Sequence, residues 1–205
     1  MHTETLAPNT KKVFDKLGNL EALKPFYLSG GTALALHLGH RESADLDFFS
    51  EEEFAPKILQ QKLENSLKLS DISQDLETLN CFADNVKLQF FHYPYKLISK
   101  AVIWNNIAIS SVKDIACTKL ITISSRGSKK DFIDLYFILQ SFSLNELFTL
   151  LTKKYSEVNY NLLHILKSLV YFETADEQPL PKMHLDVSWS EVKRSLTETT
   201  KNFKL

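Results

Sequence analysis

Two aspartates lie two residues apart in the run Asp45-Leu46-Asp47-Phe48-Phe49. Side chains alternate across a β-strand, so a strand here would place Asp45 and Asp47 on one face and the apolar residues between them on the other. Neighbouring carboxylates repel each other unless a cation lies between them, and oxygen ligands suit Mg²⁺ or Mn²⁺ far better than zinc. The pattern indicates a metal site, although a solvated strand end beside an acidic turn is the simpler interpretation of this motif taken alone.

A glycine-rich turn precedes these aspartates. Gly30-Gly31-Thr32 opens a segment of helical character fifteen residues before Asp45. Glycine lets the backbone approach a ligand, the free N–H groups of a helix start favour phosphate, and Thr32 can cap the helix or hydrogen-bond a phosphate oxygen. A plain strand-to-helix turn also needs small residues. The turn and the carboxylates together favour nucleotide chemistry, in which a metal bridges phosphates and neutralises the leaving oxygen.

The segment 29–49 resembles the opening motif of the AbiEii/AbiGii toxin family, a group of nucleotidyltransferases with the DNA polymerase beta-like fold. The family pattern is a Gly-Gly-Thr turn and helix, an Arg-x-Ser segment and Asp-Leu-Asp-Phe. These parts are present as Gly30-Gly31-Thr32, Arg41-x-Ser43 and Asp45-Leu46-Asp47-Phe48. The resemblance implies an α+β fold with a small mixed β-sheet and flanking helices, followed by a helical C-terminal half.

A second feature of that family is a helix with a lysine and an arginine, followed by a Lys-Asp-x-x-Asp-Leu-Tyr helix. This chain has Lys119, Arg126 and then the run from Lys130 to Tyr136, so the resemblance covers roughly residues 26–140.

Helical spacing places these charged residues on shared faces. Lys119 and Arg126 are seven residues apart, and Asp131 and Asp134 are three apart. Lys119 would bind the triphosphate as a point charge, whereas Arg126 could bind phosphate or pair with Asp134. Beside the first motif, we interpret Lys119 and Asp131 as catalytic residues and leave Asp134 undecided. An interhelix salt-bridge set is the alternative interpretation.

Four further residues lie between the glycine turn and the aspartates. Arg41 and Ser43 flank the expected site and are interpreted as nucleotide-binding, although Arg41 could instead pair with Asp45. His37 and His40 are assigned no role, because a lone histidine on a helix face is usually structural.

One position departs from the pattern. Nucleotidyltransferases of this fold commonly carry a third carboxylate on a later strand, and the matching strand here has Gln89 at that place. An amide cannot accept the proton of an attacking hydroxyl. Either Asp131 or Glu77 fills the role, or the site binds nucleotide with weak turnover.

Hydrophobic periodicity and turn residues predict an α/β half followed by a helical half. The expected division is a nucleotidyltransferase-like core over 1–108 and a helical domain over 109–205 that completes the active site. Helices are expected over 6–25, 32–38, 55–67, 112–125, 131–140 and 159–172, with two more opened by Ser143 and Ser188. Strands are expected over 26–28, 46–49, 76–82, 86–91 and 107–109, within a stretch of broader β character over 69–91.

Composition and charge limit the classes of function that fit this chain. The net charge of −1 argues against a protein that coats nucleic acid by bulk charge. Residues 51–84 carry three basic and eight acidic side chains, whereas 111–155 carry seven basic and four acidic ones. This difference fits either a positive face for RNA or an ordinary uneven surface. Two distant cysteines, Cys81 and Cys117, and the absence of a signal peptide or membrane-length apolar run indicate a cytoplasmic protein without membrane contact.

The sequence therefore predicts a metal-dependent nucleotidyltransferase. It would use Mg²⁺ or Mn²⁺ to transfer NMP from an NTP substrate to an acceptor, with RNA such as tRNA favoured. The resemblance implies the toxin of a type IV toxin–antitoxin or abortive-infection pair, with a cognate antitoxin protein as a possible partner. The alternative is a catalytically weak or inactive module that binds NTP or RNA.

Overall fold

A seven-stranded mixed sheet lies at the centre of the computed structural model, which describes residues 1–204; the predicted domain end at Leu205 lies outside them. The strand order is β3-β4-β5-β2-β1-β7-β6. The strands are β1 (Tyr27–Ser29), β2 (Leu46–Ser50), β3 (Leu69–Asp75), β4 (Thr78–Ala83), β5 (Val86–His92), β6 (Val102–Trp104) and β7 (Ile107–Ile109).

Helices flank this sheet and make up most of the chain after residue 110, which confirms the predicted α+β class. None of the helices within residues 1–204 combines the length and apolar character needed to cross a membrane. The helices are α1 (Pro8–Leu17), α2 (Gly30–Leu38), α3 (Pro56–Glu64), α4 (Val112–Ser125), α5 (Lys129–Ile138), α6 (Leu144–Lys154), α7 (Leu162–Ser168), α8 (Glu173–Asp176) and α9 (Trp189–Lys201).

Strand β2 lies in the middle of the sheet, antiparallel to β1 and parallel to β5. Its residues alternate as predicted, with Leu46 and Phe48 fully buried and Asp47 on the opposite face. Phe48 stacks on Phe90 of β5 at 5.1 Å between ring centroids, so the apolar face of β2 is anchored in the core. This packing fixes the register that presents Asp47 to the other side of the sheet.

The first helix is shorter than predicted. It ends at Leu17 instead of continuing to residue 25, and a separate 3-10 turn covers Glu21–Leu23. The backbone oxygen of Asn105 approaches Gly18 so closely that a Cβ added there would lie 2.2 Å from it. The chain turns where only glycine allows this contact, and the apolar spacing continues across the break.

Two other helix boundaries moved for local reasons. Helix α5 begins at Lys129, not 131, because Ser128 and Asp131 form a capping box around its first turn. The helix predicted over 159–172 is shortened to α7, and Phe172, which lies after it and before the unpredicted α8, packs edge-on against Phe132 with centroids 5.0 Å apart. Strand β6 was not predicted; its first two residues are exposed, so it lacks the buried apolar positions that mark a strand in the sequence.

Candidate active site

A cleft of about 540 Å³ lies between the polar face of the central strands and helix α4. Asp45 and Asp47 line it, together with Gly30 and Gly31 at the start of α2. The structure therefore brings the two predicted motifs into one cavity. The remaining walls come from β5, from α4 and from the first turn of α5.

Asp45 and Asp47 carry no neutralising partner from the protein: in the described part of the chain, neither makes an ion pair. Burial, and then the negative charge of Asp45, raise the pKa of Asp47, while Lys119 and Lys130 partly oppose the shift. Residues 1–204 contain no cluster of three acidic, histidine or cysteine side chains suited to a metal. Mg²⁺ is often held by one or two carboxylates plus substrate phosphates and water, so this repelling pair of oxygen ligands fits such an ion.

The two glycines make room for the protein's own charged side chains. Gly30 has a φ of 66°, and a Cβ there would lie 2.6 Å from Oδ2 of Asp47. A Cβ on Gly31 would lie 2.5 Å from Nη2 of Arg41. Helix α2 begins at Gly30 without a side-chain cap, which leaves its first N–H groups available at the cleft. Both glycines are therefore required by close packing, beside any role in phosphate binding.

Thr32 and Ser43 connect α2 to the strand that carries the aspartates. The Thr32 hydroxyl donates to the backbone oxygen of Asp45 and lies 2.8 Å from the hydroxyl oxygen of Ser43. Thr32 is 1% exposed, and neither residue lines the cleft. Thr32 therefore does not cap α2, whose N-cap is Ser29, and the placement of both side chains favours a positioning role over phosphate contact.

Arg41 is paired with Asp134, and not with Asp45. Its Nε and Nη2 donate to the two carboxylate oxygens of Asp134 at 2.7 and 2.9 Å, and His40 Nε2 lies 2.8 Å from Oδ1. Burial alone would raise the pKa of Asp134, but the charges of Lys119 and Arg41 outweigh it and hold the pKa well below its usual range. The pairing buries Arg41, which removes its guanidinium from the cleft surface.

Lys119 reaches the cleft wall, but its ammonium is bound to α5. Nζ lies 2.8 Å from Asp131 and 2.5 Å from Asp134, both fully buried. Asp131 also closes the cap of α5 through Ser128, and the exposed Arg126 lies 3.4 Å from it. Asp131 does not line the cleft, so its position does not favour the predicted catalytic role.

Comparison with known proteins gives the same assignment as the site. Residues 13–97 match the sequence model of a family described as "Nucleotidyl transferase AbiEii toxin, Type IV TA system". The uncharacterized protein aq_aa25 of Aquifex aeolicus (strain VF5) is 35% identical over 204 residues, which are 97% of this chain and 97% of that protein. The chain belongs to the AbiEii family. The predicted family and the predicted enzyme class, a nucleotidyltransferase, are confirmed.

Solved structures share the fold of this AbiEii chain. JHP933 from Helicobacter pylori is similar with a TM-score of 0.57 and 19% identity, over 96% of this chain and 92% of that one. MenT4, a nucleotidyltransferase toxin from Mycobacterium tuberculosis H37Rv, is similar with a TM-score of 0.60 and 12% identity, over 97% of this chain and 87% of that one. The predicted nucleotidyltransferase-type sheet with flanking helices is confirmed.

Gln89 of this AbiEii chain lies directly beside Asp47 in the sheet, at the position expected for a third carboxylate. Its amide nitrogen donates to the side-chain oxygen of Asn80 on β4 at 2.7 Å. Neither of the acids suggested as substitutes, Asp131 and Glu77, lines the cleft. The position next to Asp47 is therefore occupied by a neutral, hydrogen-bonded amide.

Several lining residues were missed by the sequence analysis. Lys87, Gln89 and Phe91 alternate along β5 and face the cleft together, as does Phe49 on β2. Extending the two-residue period from Gln89 in both directions would have found the first and third of these. Lys130 was noted only as part of a motif, but it is exposed at the cleft.

Proposed function

We propose that this enzyme transfers NMP from an NTP to an RNA acceptor, using Mg²⁺ or Mn²⁺ held by Asp45 and Asp47. The observation that carries the proposal is the pair of cleft carboxylates, which make no ion pair with any residue that the structure describes, in a cleft also lined by cationic side chains. Clefts of a few hundred Å³ are large enough for a nucleotide. The two carboxylates repel each other in the free protein, and a cation bound between them would remove that repulsion.

The metal, when bound, would neutralise charge on the reacting phosphate and lower the pKa of an attacking hydroxyl. Asp47 on β2 and Asp45, directly before that strand, would hold it, and Asp47 must be deprotonated to do so. The amide oxygen of Gln89 is a neutral oxygen ligand beside them, oriented by the hydrogen bond that the amide nitrogen donates to Asn80.

Three accessible cations are better placed for the polyphosphate than the predicted Lys119. Lys87, Arg126 and Lys130 line the cleft, and the latter two are exposed. None of them is neutralised as fully as Lys119, which lies between two carboxylates. We therefore assign phosphate binding to these three side chains and to the first N–H groups of α2, and assign Lys119 to positioning.

The acceptor proposal rests on charge and family. The cleft opens beside the segment with excess positive charge, residues 111–155, which suits an RNA backbone. The family description names a toxin of a type IV toxin–antitoxin system. We propose that the chain acts as such a toxin in the cytoplasm, with a cognate antitoxin protein as partner. The proposed division into a core over 1–108 and a helical domain after it puts the cleft between the two parts.

Gln89 supports a second candidate function. The residue paired with Asp47 on β5 is Gln89, whose amide cannot accept the proton of the attacking hydroxyl as a third carboxylate would. A module that binds NTP or RNA with weak or absent turnover would have this site. Binding with no detectable transfer would distinguish it from the enzyme.

The test is transfer of labelled nucleotide. Purified protein is incubated with Mg²⁺, total cellular RNA and each NTP labelled at its α-phosphate, next to Asp45→Asn, Asp47→Asn and the exposed Asp186→Asn outside the cleft. We expect label on RNA with wild type and Asp186→Asn, and a loss on the order of a thousandfold in the two cleft variants, since a metal ion supplies several kcal/mol of charge stabilisation.

Each other outcome has a definite meaning. Label on protein instead of RNA would change the proposed acceptor to protein and leave the proposed nucleotidyl transfer unchanged. Equal transfer by Asp47→Asn would remove the metal site from the proposal. Binding of NTP without any label transfer would support the inactive module.

A further inference from the structure

The chemical character of the cleft changes from one end to the other along strand β5. Its cleft-facing residues follow one another as Lys87, Gln89 and Phe91, which are a cation, an amide and an aromatic ring. In the register of the sheet, Gln89 lies beside Asp47, and Phe91 lies beside Phe49. The strands therefore lead from charge, through the carboxylate row, to an aromatic row.

Helix α4 has the same direction on the opposite wall. Its cleft-lining residues begin at Ile115 and end at Ser125, and Arg126, directly after the helix, lines the cleft together with the exposed Lys130. Tyr93 is two residues beyond Phe91 on the strand side, and the Lys154 ammonium lies 5.9 Å from its ring centroid and 2.8 Å from Asp114 in the first turn of α4. The early part of α4 is thus at the aromatic end of the cleft, and its cationic end is at the other.

Phe91 is the aromatic ring best placed to contact a ligand. Phe49 is enclosed by other rings, with centroid distances of 6.0 Å to Tyr27, 5.3 Å to Phe91 and 5.2 Å to Tyr93. Tyr93 carries the Lys154 ammonium 5.9 Å from its ring centroid. Phe91 is half-buried, lines the cleft and is flanked by the tilted ring of Phe49 on the neighbouring strand.

We propose that Phe91 is the stacking platform for the nucleobase of the incoming nucleotide, with Phe49 as its support. The inference rests on the proposed function and specifies the orientation of its substrate. Gln89 and Phe91 are two residues apart, so their rows are about 7 Å apart along the strand, a distance that a ribose spans. Phosphates at Lys87 and Arg126, the reacting phosphate at Asp47 and the base at Phe91 form one continuous nucleotide path.

A nucleobase could also come from the 3′ end of the acceptor. The incoming nucleotide is favoured because the phosphate-binding cations and the aromatic row lie in the same cleft of about 540 Å³, which is large enough for a single nucleoside triphosphate. Stacking reads the face of a base and not its edge, so all four NTPs are expected to use this platform.

The experiment distinguishes the contribution of the base to binding affinity from that of the phosphates. Affinities for α,β-methylene ATP and for inorganic tripolyphosphate, each with Mg²⁺, are measured by calorimetry for wild type, Phe91→Ala, Phe91→Tyr and Phe82→Ala. Phe82 is the matched control, a half-buried phenylalanine on neighbouring β4 that does not line the cleft. The thermal midpoint of each variant is recorded as a check on folding.

We expect Phe91→Ala to lower the affinity for the ATP analogue by roughly fivefold to a hundredfold, while the affinity for tripolyphosphate stays unchanged. Phe91→Tyr keeps the ring and should bind like wild type, as should Phe82→Ala. Unchanged affinity of Phe91→Ala for the analogue would overturn the inference. A raised KM for RNA with unchanged analogue affinity would also overturn it and assign the platform to the acceptor.

The proposed function fails in a different way. If wild type binds neither the analogue nor tripolyphosphate, the nucleotide site itself is wrong, and the platform falls with it. If wild type binds the analogue and Phe91→Ala binds it much more weakly, but no label is ever transferred, the platform stands and only the catalytic proposal fails.

Discussion

Two pairs of aspartates in this chain have similar spacing and opposite environments. Asp45 and Asp47 line an open cleft and make no ion pair within residues 1–204, whereas Asp131 and Asp134 are fully buried among cations. The same chemistry gives opposite shifts: the pKa of Asp47 is raised and the pKa of Asp134 is lowered. Spacing shows which carboxylates share a face, but only the fold determines what that face meets.

The buried pair supports the open one. Asp134 holds Arg41, and Arg41 lies in the loop that leads into the strand with Asp45 and Asp47. Asp131 and Asp134 together fix Lys119 at the cleft wall. The buried network therefore sets the position of the α2–β2 loop against α5, and the cleft carboxylates depend on it for their place.

The largest expected difference between the two pairs is in the thermal stability of their Asp→Asn variants. Asp134→Asn leaves Arg41 and Lys119 buried with reduced compensation, and breaking a buried ion pair costs about 3–5 kcal/mol. For a domain of this size that is a fall in Tm on the order of 10 °C. Asp47→Asn removes a repelled charge and should leave the metal-free Tm equal or slightly higher. Thermal unfolding of the two variants without metal is the measurement.

Activity supplies the complementary result for these variants. Asp47→Asn should be folded and inactive, whereas whatever Asp134→Asn protein remains folded below its Tm should retain measurable transfer. If Asp134→Asn is as stable as wild type, the buried network does not hold the fold as described. If Asp47→Asn is the less stable of the two, the cleft carboxylate has a structural partner.

The two glycines offer a smaller version of the same contrast. Gly31→Ala would press on the Arg41 guanidinium, which is fixed by Asp134 and cannot move freely. Overpacking of this kind costs about 1–3 kcal/mol, and we expect it as lost stability. Gly30→Ala places a methyl group against the Asp47 carboxylate at a φ of 66°, so it should also lower metal-dependent activity.

Unfolding in denaturant and a titration of transfer rate against Mg²⁺ distinguish the two substitutions. The more informative quantity is the Mg²⁺ concentration for half-maximal rate in those molecules that are folded. It should rise for Gly30→Ala and stay near wild type for Gly31→Ala. Equal shifts in both variants would mean that the two glycines serve one site.

Much of the site was readable from the sequence, and the reasons for success and failure are physical. Alternation along 46–49 predicted the face of Asp47, because burial of Leu46 and Phe48 fixes the register. Gln89 was found in the expected place for the same reason. Both results come from strand periodicity, which is local and strongly constrained by the core.

Long-range pairing could not be read in this way. Nothing local shows that Arg41 meets Asp134, 93 residues later, or that Lys119 meets two carboxylates instead of a phosphate. The end of α1 at Gly18 was also missed, because its cause is the approach of Asn105 from a distant turn. Charged residues on a shared helix face are compatible with a ligand or a salt bridge, and tertiary contacts decide between them.

The smallest expected effect is a pH dependence that has opposite signs in the two pairs. Asp47 has a raised pKa in the folded protein, so its contribution to metal-free stability is present below the ordinary carboxyl pKa of 3.8 and is lost as pH rises through the raised value. Asp131 and Asp134 have lowered pKa values, so their contribution is present above 3.8 and is lost as pH falls through the lowered values. As the pH falls from neutral towards 3.8, Asp47 is therefore the first of these three carboxyls to be protonated.

Lowering the pH from about 8 to about 5 should therefore raise the metal-free Tm of wild type relative to Asp47→Asn, in which this site cannot titrate. Mg²⁺ should reverse the trend, because it binds the deprotonated carboxylate and its stabilisation grows as pH rises. Thermal shifts with and without Mg²⁺ across this range measure both effects. Stabilisation by Mg²⁺ that is independent of pH, or that persists in Asp47→Asn, would show that the ion binds elsewhere, and the contrast between the open and the buried pair would then lose its functional meaning.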